Sequence, residues 1–169
     1  LLQIDYIVDQ KKVYHPDYPY LPGITKTVDD EQKELCDFLV KHLSLNQKDL
    51  VVDIGSNDGI FLEPINKLGL KAIGVEPAKN VAKIANSKKL TTLQEYFEKK
   101  TVTKIIKKFG KADVVTAFNV FAHNDGLKDI LENVQALLKP NGEFIFEIQY
   151  ILRTIKDLTF DNIYHEHVN

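Results

Sequence analysis

The residues best suited to chemistry lie in one loop, Asp53–Gly59, and in an acid that follows it, Glu76. The loop contains Gly55 and Gly59, and glycines let a backbone approach a ligand closely. An apolar run precedes the loop and a helical pattern follows it, as in the opening unit of a nucleotide-binding α/β domain. Glu76 ends the next apolar run, at the distance where an acid takes the ribose hydroxyls of an adenosine cofactor. These residues predict an adenosine-cofactor site.

The acids of the loop favour one adenosine cofactor over the others. The dinucleotide fingerprint places three glycines around a pyrophosphate, whereas this loop has two. Asp53 and Asp58 would repel phosphates, but a cofactor with an ammonium group and no phosphate tolerates them. S-adenosylmethionine (SAM) fits that description, and Asp-x-Gly-x-x-x-Gly with a distal acid resembles motif I and its partner acid in class I SAM-dependent methyltransferases. An NAD(P)-dependent oxidoreductase and a merely structural glycine turn remain as alternatives.

A second dense cluster, Tyr164-His165-Glu166-His167, follows near the end of the sequence. An imidazole titrates near neutral pH and a nearby carboxylate tunes it, so general acid–base chemistry is the leading interpretation. His-x-His could also chelate a metal, but no cysteine or third ligand set is nearby, and we predict no metal. A solvated surface turn is the third interpretation.

Composition narrows the class of protein. The chain has 169 residues with a net charge of −2, which suits one domain and gives no electrostatic footprint for nucleic acid. The single cysteine, Cys36, falls in a helical apolar pattern and is most simply a core residue. No signal peptide or long apolar stretch is present, so we expect a cytoplasmic protein with a small-molecule substrate, without nucleic-acid or membrane partners.

Alternating strand and helix patterns must position these residues. They predict a Rossmann-like, doubly wound parallel sheet, whose ligands sit at the carboxyl ends of the strands. Strands are predicted at 50–54, 71–75, 90–93, 112–118 and 143–149. Residues 1–27 read as an extended arm or the tail of a preceding domain, and 28–169 as the cofactor-binding domain. A class I methyltransferase sheet has seven strands, so we expect the last two after Asn169 and a domain that is incomplete at its C-terminal end.

Three segments together resemble the sugar-nucleotide C-methyltransferase family, whose members methylate a ring carbon of deoxy-keto-sugars. They are residues 51–59, 119–123 (Asn-Val-Phe-Ala-His) and 161–167 (Asp-Asn-Ile-Tyr-His-Glu-His). The arm Tyr18-Pro19-Tyr20 with Gly23 is also similar to that family. Members usually carry an N-terminal zinc-binding domain and a C-terminal sugar-binding domain; neither is evident in this sequence, so zinc is not carried over.

The resemblance implies a role for each residue of the site. His167 would be the general base and Glu166 would orient it, while Tyr164 and His123 would stabilise an enolate oxygen or position the sugar. Substrate contacts are expected from Tyr20, Asn119 and His165. The residues expected to hold SAM are Asp53, Gly55, Ser56, Asn57, Gly59, Glu76, Pro77, Phe118 and Asn119.

Two functions outside sugar C-methylation stay open at this level. One is a SAM-dependent methyltransferase that acts on an oxygen or nitrogen of another small molecule. The other is a SAM-binding domain without catalysis, because this stretch of chain could bind SAM and yet be inactive alone.

Overall fold

The structure, a computed structural model, describes residues 10–14, 18–21, 23, 26–124, 126–148 and 150–159. Strands and helices alternate along this part of the chain. In order they are α1 (Gln10–Val13), α2 (Lys26–His42), β1 (Leu50–Ile54), α3 (Leu62–Lys67), β2 (Lys71–Val75), α4 (Lys79–Ser87), β3 (Thr91–Leu93), α5 (Lys99–Phe109), β4 (Ala112–Phe118), a 3₁₀ turn (Phe121–His123), α6 (Leu127–Leu137), β5 (Leu138–Glu147) and α7 (Ile151–Lys156). The cluster Tyr164–His167 lies outside the described residues.

The strands form one parallel sheet in the order β3-β2-β1-β4-β5. The central strand β1 is buried along its whole length, which is why its sequence is an apolar run without alternation. Two apolar clusters cover the two faces of the sheet. One centres on Val52, Val115 and Ile105, the other on Val51, Phe61 and Ile65. This architecture confirms the predicted Rossmann-like fold.

Strand β5 begins at Leu138, ahead of the predicted strand at 143–149, and the added part contains an irregularity. Leu138 pairs with Ala112, and regular pairing then resumes only between Glu143 and Val114. The residues between them bulge out of the ladder, and Asn141 takes a φ of 144° there. A proline cannot donate a ladder hydrogen bond, so Pro140 is compatible with a strand only at such a bulge.

The two ends of the described chain differ from the core. At the N-terminal end the structure contains a single helical turn, α1, where the sequence showed no helical period. Its four residues are too few to show a helical repeat. At the other end, large apolar side chains are exposed on β5 and beyond it. They are Phe146, Ile148, Tyr150, Leu152, Ile155 and Leu158.

Candidate cofactor and active site

A cavity of about 940 Å³ opens at the carboxyl ends of β1, β2, β4 and β5. Parallel strands bring the segments that follow them to one edge of the sheet, so the topology itself assembles this site. The predicted site residues that line it are Tyr20, Asp53, Gly55, Ser56, Asn57, Glu76, Pro77, Phe118, Asn119 and His123. Gly59 is not among the lining residues, and the predicted residues Tyr164, His165, Glu166 and His167 lie outside the described part of the chain.

The backbone of the glycine loop is closed by its own hydrogen bonds. Gly55 and Ser56 donate their N–H groups to the carbonyl of Val75 at 2.8 and 3.3 Å. The N–H of Asn57 donates to Glu76 Oε2 at 3.0 Å, and that of Asp58 to Asn57 Oδ1 at 2.7 Å. The N–H of Gly59 donates to the carbonyl of Ser56 at 2.9 Å. Five successive N–H groups are therefore engaged within the domain.

This closed loop differs from a phosphate cradle. Loops that bind phosphate do so with backbone N–H groups aimed at the ligand, usually at the N-terminus of the following helix. Here α3 begins only at Leu62, three residues beyond Gly59. The geometry agrees with the prediction that the ligand at this loop carries no pyrophosphate, but of the two acids behind that prediction only Asp53 lines the cavity. Asp58 does not line it, and its Oδ2 is paired with Lys88 Nζ at 3.2 Å.

The two loop glycines serve different contacts. Gly55 has a φ of 71°, and a Cβ added to it would lie 2.7 Å from Val120 Cγ2. It therefore brings the loop against the segment that follows β4, beside the cavity. Gly59 has a φ of 85°, and a Cβ there would overlap the side chain of Leu90. Gly59 therefore contacts the protein core. This explains why it does not line the cavity, although its spacing resembles that of a ligand-binding glycine.

Glu76 is held firmly at the end of β2. Its side chain accepts the N–H of Asn57 on Oε2 and the N–H of Ala78 on Oε1, the latter at 2.7 Å. Burial raises the pKa of Glu76, and the two backbone hydrogen bonds partly offset that effect. A carboxylate offers about four acceptor positions, so these bonds leave room for a pair of ligand hydroxyls.

Asp53 lies beneath the loop and is 3% exposed. Burial, which is partly offset by the hydroxyl of Thr116, raises its pKa to about 7, and the nearby charge of Glu76 adds to the increase. Thr116 donates this bond to Asp53 Oδ1 at 2.7 Å. The sequence analysis missed Thr116. Its signal was a polar residue inside the apolar run of β4, directly opposite Asp53 in the sheet register.

Asn119 follows β4 with a φ of 55°, a backbone conformation that asparagine tolerates better than most residues. Both of its nitrogens are directed to Glu147: the backbone N–H donates to the Glu147 carbonyl at 3.0 Å and Nδ2 donates to Oε1 at 2.8 Å. Glu147 also lines the cavity. Glu147 was not among the site residues predicted from the sequence.

His123 reaches the same cavity from the short 3₁₀ turn. The helical turn covers only Phe121–His123, and Asn119 stands outside it with a positive φ. Both residues nevertheless line the cavity.

Several features of the cavity fit SAM. The carboxylate of Glu147 matches a cationic ligand, as does Asp53 in its ionised form, and the remaining acceptor positions of Glu76 match a ribose. Ser56 lines the cavity as well. Its buried Oγ lies against Gly74, where an added Cβ would be 2.2 Å away, so the hydroxyl faces the protein and not the ligand. Within the described residues, no three histidine, cysteine or acidic side chains cluster as metal ligands would.

The fold and the cavity define a class I methyltransferase domain. A solved S-adenosylmethionine-dependent methyltransferase from Clostridium acetobutylicum ATCC 824 superposes with a TM-score of 0.60 at 17% identity, over 76% of this chain and 54% of that chain. At this identity the likeness shows the fold alone.

Sequence comparison gives the family. Residues 28–169 match the model of a methyltransferase domain, and the chain belongs to that family. It is 32% identical to the C-methyltransferase NovU of Streptomyces niveus over 96% of this chain and 40% of that protein. It is also 33% identical to a ubiquinone biosynthesis O-methyltransferase of Bradyrhizobium diazoefficiens, over 54% of this chain and 36% of that protein. The chain thus spans less than half of the length of these relatives. The predicted membership of a methyltransferase family with the class I fold is confirmed.

No helix within the described ranges is both long enough and apolar enough to cross a membrane.

Proposed function

We propose that this domain binds SAM and that the protein it belongs to transfers the methyl group to a ring carbon of a nucleotide-linked keto-deoxysugar. The observation that carries the cofactor assignment is the closed glycine loop, whose five N–H groups are already bonded while acids surround it. The carbon-directed chemistry is supported by the likeness to NovU, a C-methyltransferase. The sugar substrate rests on the resemblance of residues 51–59, 119–123 and 161–167 to the sugar-nucleotide C-methyltransferase family.

Different residues of the cavity would contact different parts of the cofactor. Glu76 would hold the ribose hydroxyls, and Pro77 would lie beside the adenine ring. Asp53, beneath the loop, would attract the ammonium of the methionine part. Phe118 and Asn119, at the end of β4, would contact the same part near the reacting carbon. When bound, SAM supplies a methyl group that its sulfonium makes electrophilic.

The chain's own chemistry is the movement of a proton. A carbon beside a ketone is acidic enough for removal of its proton by an imidazole, and His167 is the proposed base. Glu166 would orient it, and His165 would contact the sugar. The negative charge that develops on the ketone oxygen would be stabilised by His123 and Tyr164, a contribution that is often worth about 2.7–4 kcal/mol per donor. Tyr20 would contact the substrate from the arm.

A direct test separates proton removal from methyl transfer. The full-length protein is incubated in D2O with a nucleotide-linked keto-deoxysugar and S-adenosylhomocysteine (SAH), which has no methyl group to give. NMR should show deuterium entering the carbon beside the ketone. His167→Ala should abolish this exchange, whereas SAH affinity should be unchanged. Exchange at the unaltered rate in His167→Ala would show that another group is the base.

The second candidate is methylation of an oxygen on another small molecule, which the likeness to the ubiquinone biosynthesis O-methyltransferase favours. Product analysis distinguishes the two reactions. With SAM labelled with ¹³C in its methyl group, the new methyl signal of a C–CH3 product differs from that of an O–CH3 product. An O–CH3 signal from the keto-sugar incubation would overturn the carbon assignment.

A further inference from the structure

A short part of the N-terminal arm forms one side of the cavity. Tyr14, Tyr18, Pro19 and Tyr20 line it together with Glu76. None of these arm residues belongs to either apolar cluster of the sheet. The arm is therefore a separate wall, placed on the domain rather than built into its core.

Two side-chain amides attach this wall to the domain. Asn80 Nδ2 donates to the backbone carbonyl of Tyr18 at 2.6 Å, and Asn57 Nδ2 donates to the backbone carbonyl of Tyr20 at 3.0 Å. The acceptors are two residues apart, so the pair of bonds fixes both the position and the direction of the segment. Because the acceptors are main-chain atoms, the sequence carried no signal of this attachment.

Asn80 differs from Asn57 in having no other contact with the site. It is the second residue of α4 and does not line the cavity. Its Oδ1 is buried without a hydrogen-bond partner within the described protein. A buried amide whose oxygen is unpaired lowers the stability of the fold. The hydrogen bond from Nδ2 to the arm is therefore the contact that accounts for an asparagine at this position.

The wall that Asn80 holds faces Glu76 with an uncharged aromatic surface. The Tyr14 and Tyr18 rings lie 5.4 Å apart with their planes tilted by 56°. Burial, with Tyr18, Glu76 and Tyr96 nearby, raises the pKa of Tyr14 to about 12. The phenol beside the carboxylate is thus neutral at physiological pH. An aromatic surface next to the ribose acid suits the adenosine part of a cofactor.

We propose that Asn80 is a positioning residue for the cofactor site: by bonding the Tyr18 carbonyl it holds the arm as the wall on the Glu76 side, and this raises the affinity for the adenosine part of the cofactor. The inference rests on the proposed function in that the cofactor is SAM. It predicts a change in cofactor affinity and KM without a change in kcat at saturating SAM, because Asn80 touches neither the cofactor nor the reacting atoms.

Asn80→Asp is the test variant, studied in the full-length protein. Aspartate has the same shape but cannot donate to a carbonyl, and an acid in the first turn of a helix is favourable, so α4 is not weakened. Lys79→Gln, at the adjacent exposed position, makes the same change of charge and is the matched control. Calorimetry gives the Kd for SAH, and hydrogen exchange reports the protection of the Tyr18, Tyr20 and Leu21 amides.

The expected result is a threefold to tenfold higher Kd for SAH in Asn80→Asp, with faster exchange in the arm of a protein that remains folded in thermal unfolding. Lys79→Gln should bind as the unaltered protein does. Tyr14→Ala removes the wall itself and should weaken SAH binding as well. Equal Kd values for the unaltered protein and either Asn80→Asp or Tyr14→Ala would overturn the inference while leaving the proposed function intact. Failure of the unaltered protein to bind SAH would overturn the proposed function and this inference with it.

Discussion

The two halves of the cavity are built differently. In the half at β1 and β2, the polar side chains of Asp53, Ser56 and Glu76 are each less than 5% exposed. In the half at β4 and β5, the polar pair Asn119 and Glu147 lies in an exposed contact, and Tyr150 beyond β5 is 64% exposed.

This difference indicates which part of the site the described domain forms by itself. The first half is fixed by backbone hydrogen bonds before any ligand arrives, as a site that must select its cofactor should be. The second half is held by a contact between exposed side chains, and its apolar residues are exposed within the described part of the chain. We infer that cofactor binding belongs to the described domain itself, and that methyl acceptor binding depends on residues outside the described ranges.

The largest expected effect comes from filling the loop of the first half. In Gly55→Ala the new Cβ meets Val120 and the residue keeps a left-handed φ, which together should cost about 3 kcal/mol or more. SAH affinity should fall by roughly 100-fold. Gly110→Ala is the matched control, because Gly110 has a φ of 94° with no atom near its would-be Cβ. It should lose stability but bind SAH normally. Equal losses of affinity in both variants would show that backbone strain, not the loop, controls binding.

The next effect concerns the buried acid of the first half. The pKa of Asp53 rises from 3.8 to about 7 on folding. Between about pH 4 and 7 the folded state therefore holds a proton that the unfolded state has lost. Its free energy of unfolding should decrease by up to about 1.4 kcal/mol per pH unit from this group as the pH rises.

Asp53→Asn should remove that dependence and keep the hydrogen bond from Thr116. Urea unfolding from pH 4 to 8 measures it. The variant should match the unaltered protein at pH 4 and exceed it in stability at pH 8. The other carboxyl groups are common to both proteins and cancel in the difference, apart from Glu76, whose charge interacts with Asp53. Parallel pH profiles would mean that Asp53 is ionised in the folded state across this range.

A smaller effect is expected in the second half. Glu147→Ala removes the acceptor that holds the Asn119 side chain, and in the full-length protein kcat should fall about tenfold, the equivalent of one hydrogen bond to a charged group. Glu147→Gln keeps an acceptor and should retain most of the rate. SAH affinity should change less than kcat in both variants. A loss of SAH affinity as large as that of Gly55→Ala would place Glu147 in the cofactor half instead.

The smallest effect is expected at the exposed apolar surface. Leu152 is 59% exposed on α7, so Leu152→Ser should leave the stability of the domain within about 0.5 kcal/mol and SAH affinity within twofold. Thermal unfolding and calorimetry measure both. A loss of SAH binding would show that this surface supports the cofactor site and would remove the distinction between the two halves.

Most of the sheet could be predicted from the sequence because its buried strands are mainly apolar. Predicted strands 50–54, 71–75 and 112–118 coincide with β1, β2 and β4. The bulge in β5 could not be predicted, since a turn and a bulge use the same proline, asparagine and glycine residues.

Site residues could be predicted where the type of their side chain indicates a function. They could not be predicted where sheet register or a backbone carbonyl determines the contact. Asp53, Glu76 and Asn119 were found from their residue types and from the strand ends on which they lie. Thr116 was missed because its partner is set by sheet register, and Asn80 because it bonds a carbonyl that any residue would offer. The roles proposed for Tyr164–His167 remain predictions.

The central claim is that the closed, acid-lined loop selects SAM over a dinucleotide. Calorimetric titration of this chain with SAH, and separately with NADH, tests it most directly. We predict saturable binding of SAH with a Kd in the micromolar range and no binding of NADH. Saturable binding of NADH without binding of SAH would contradict the account.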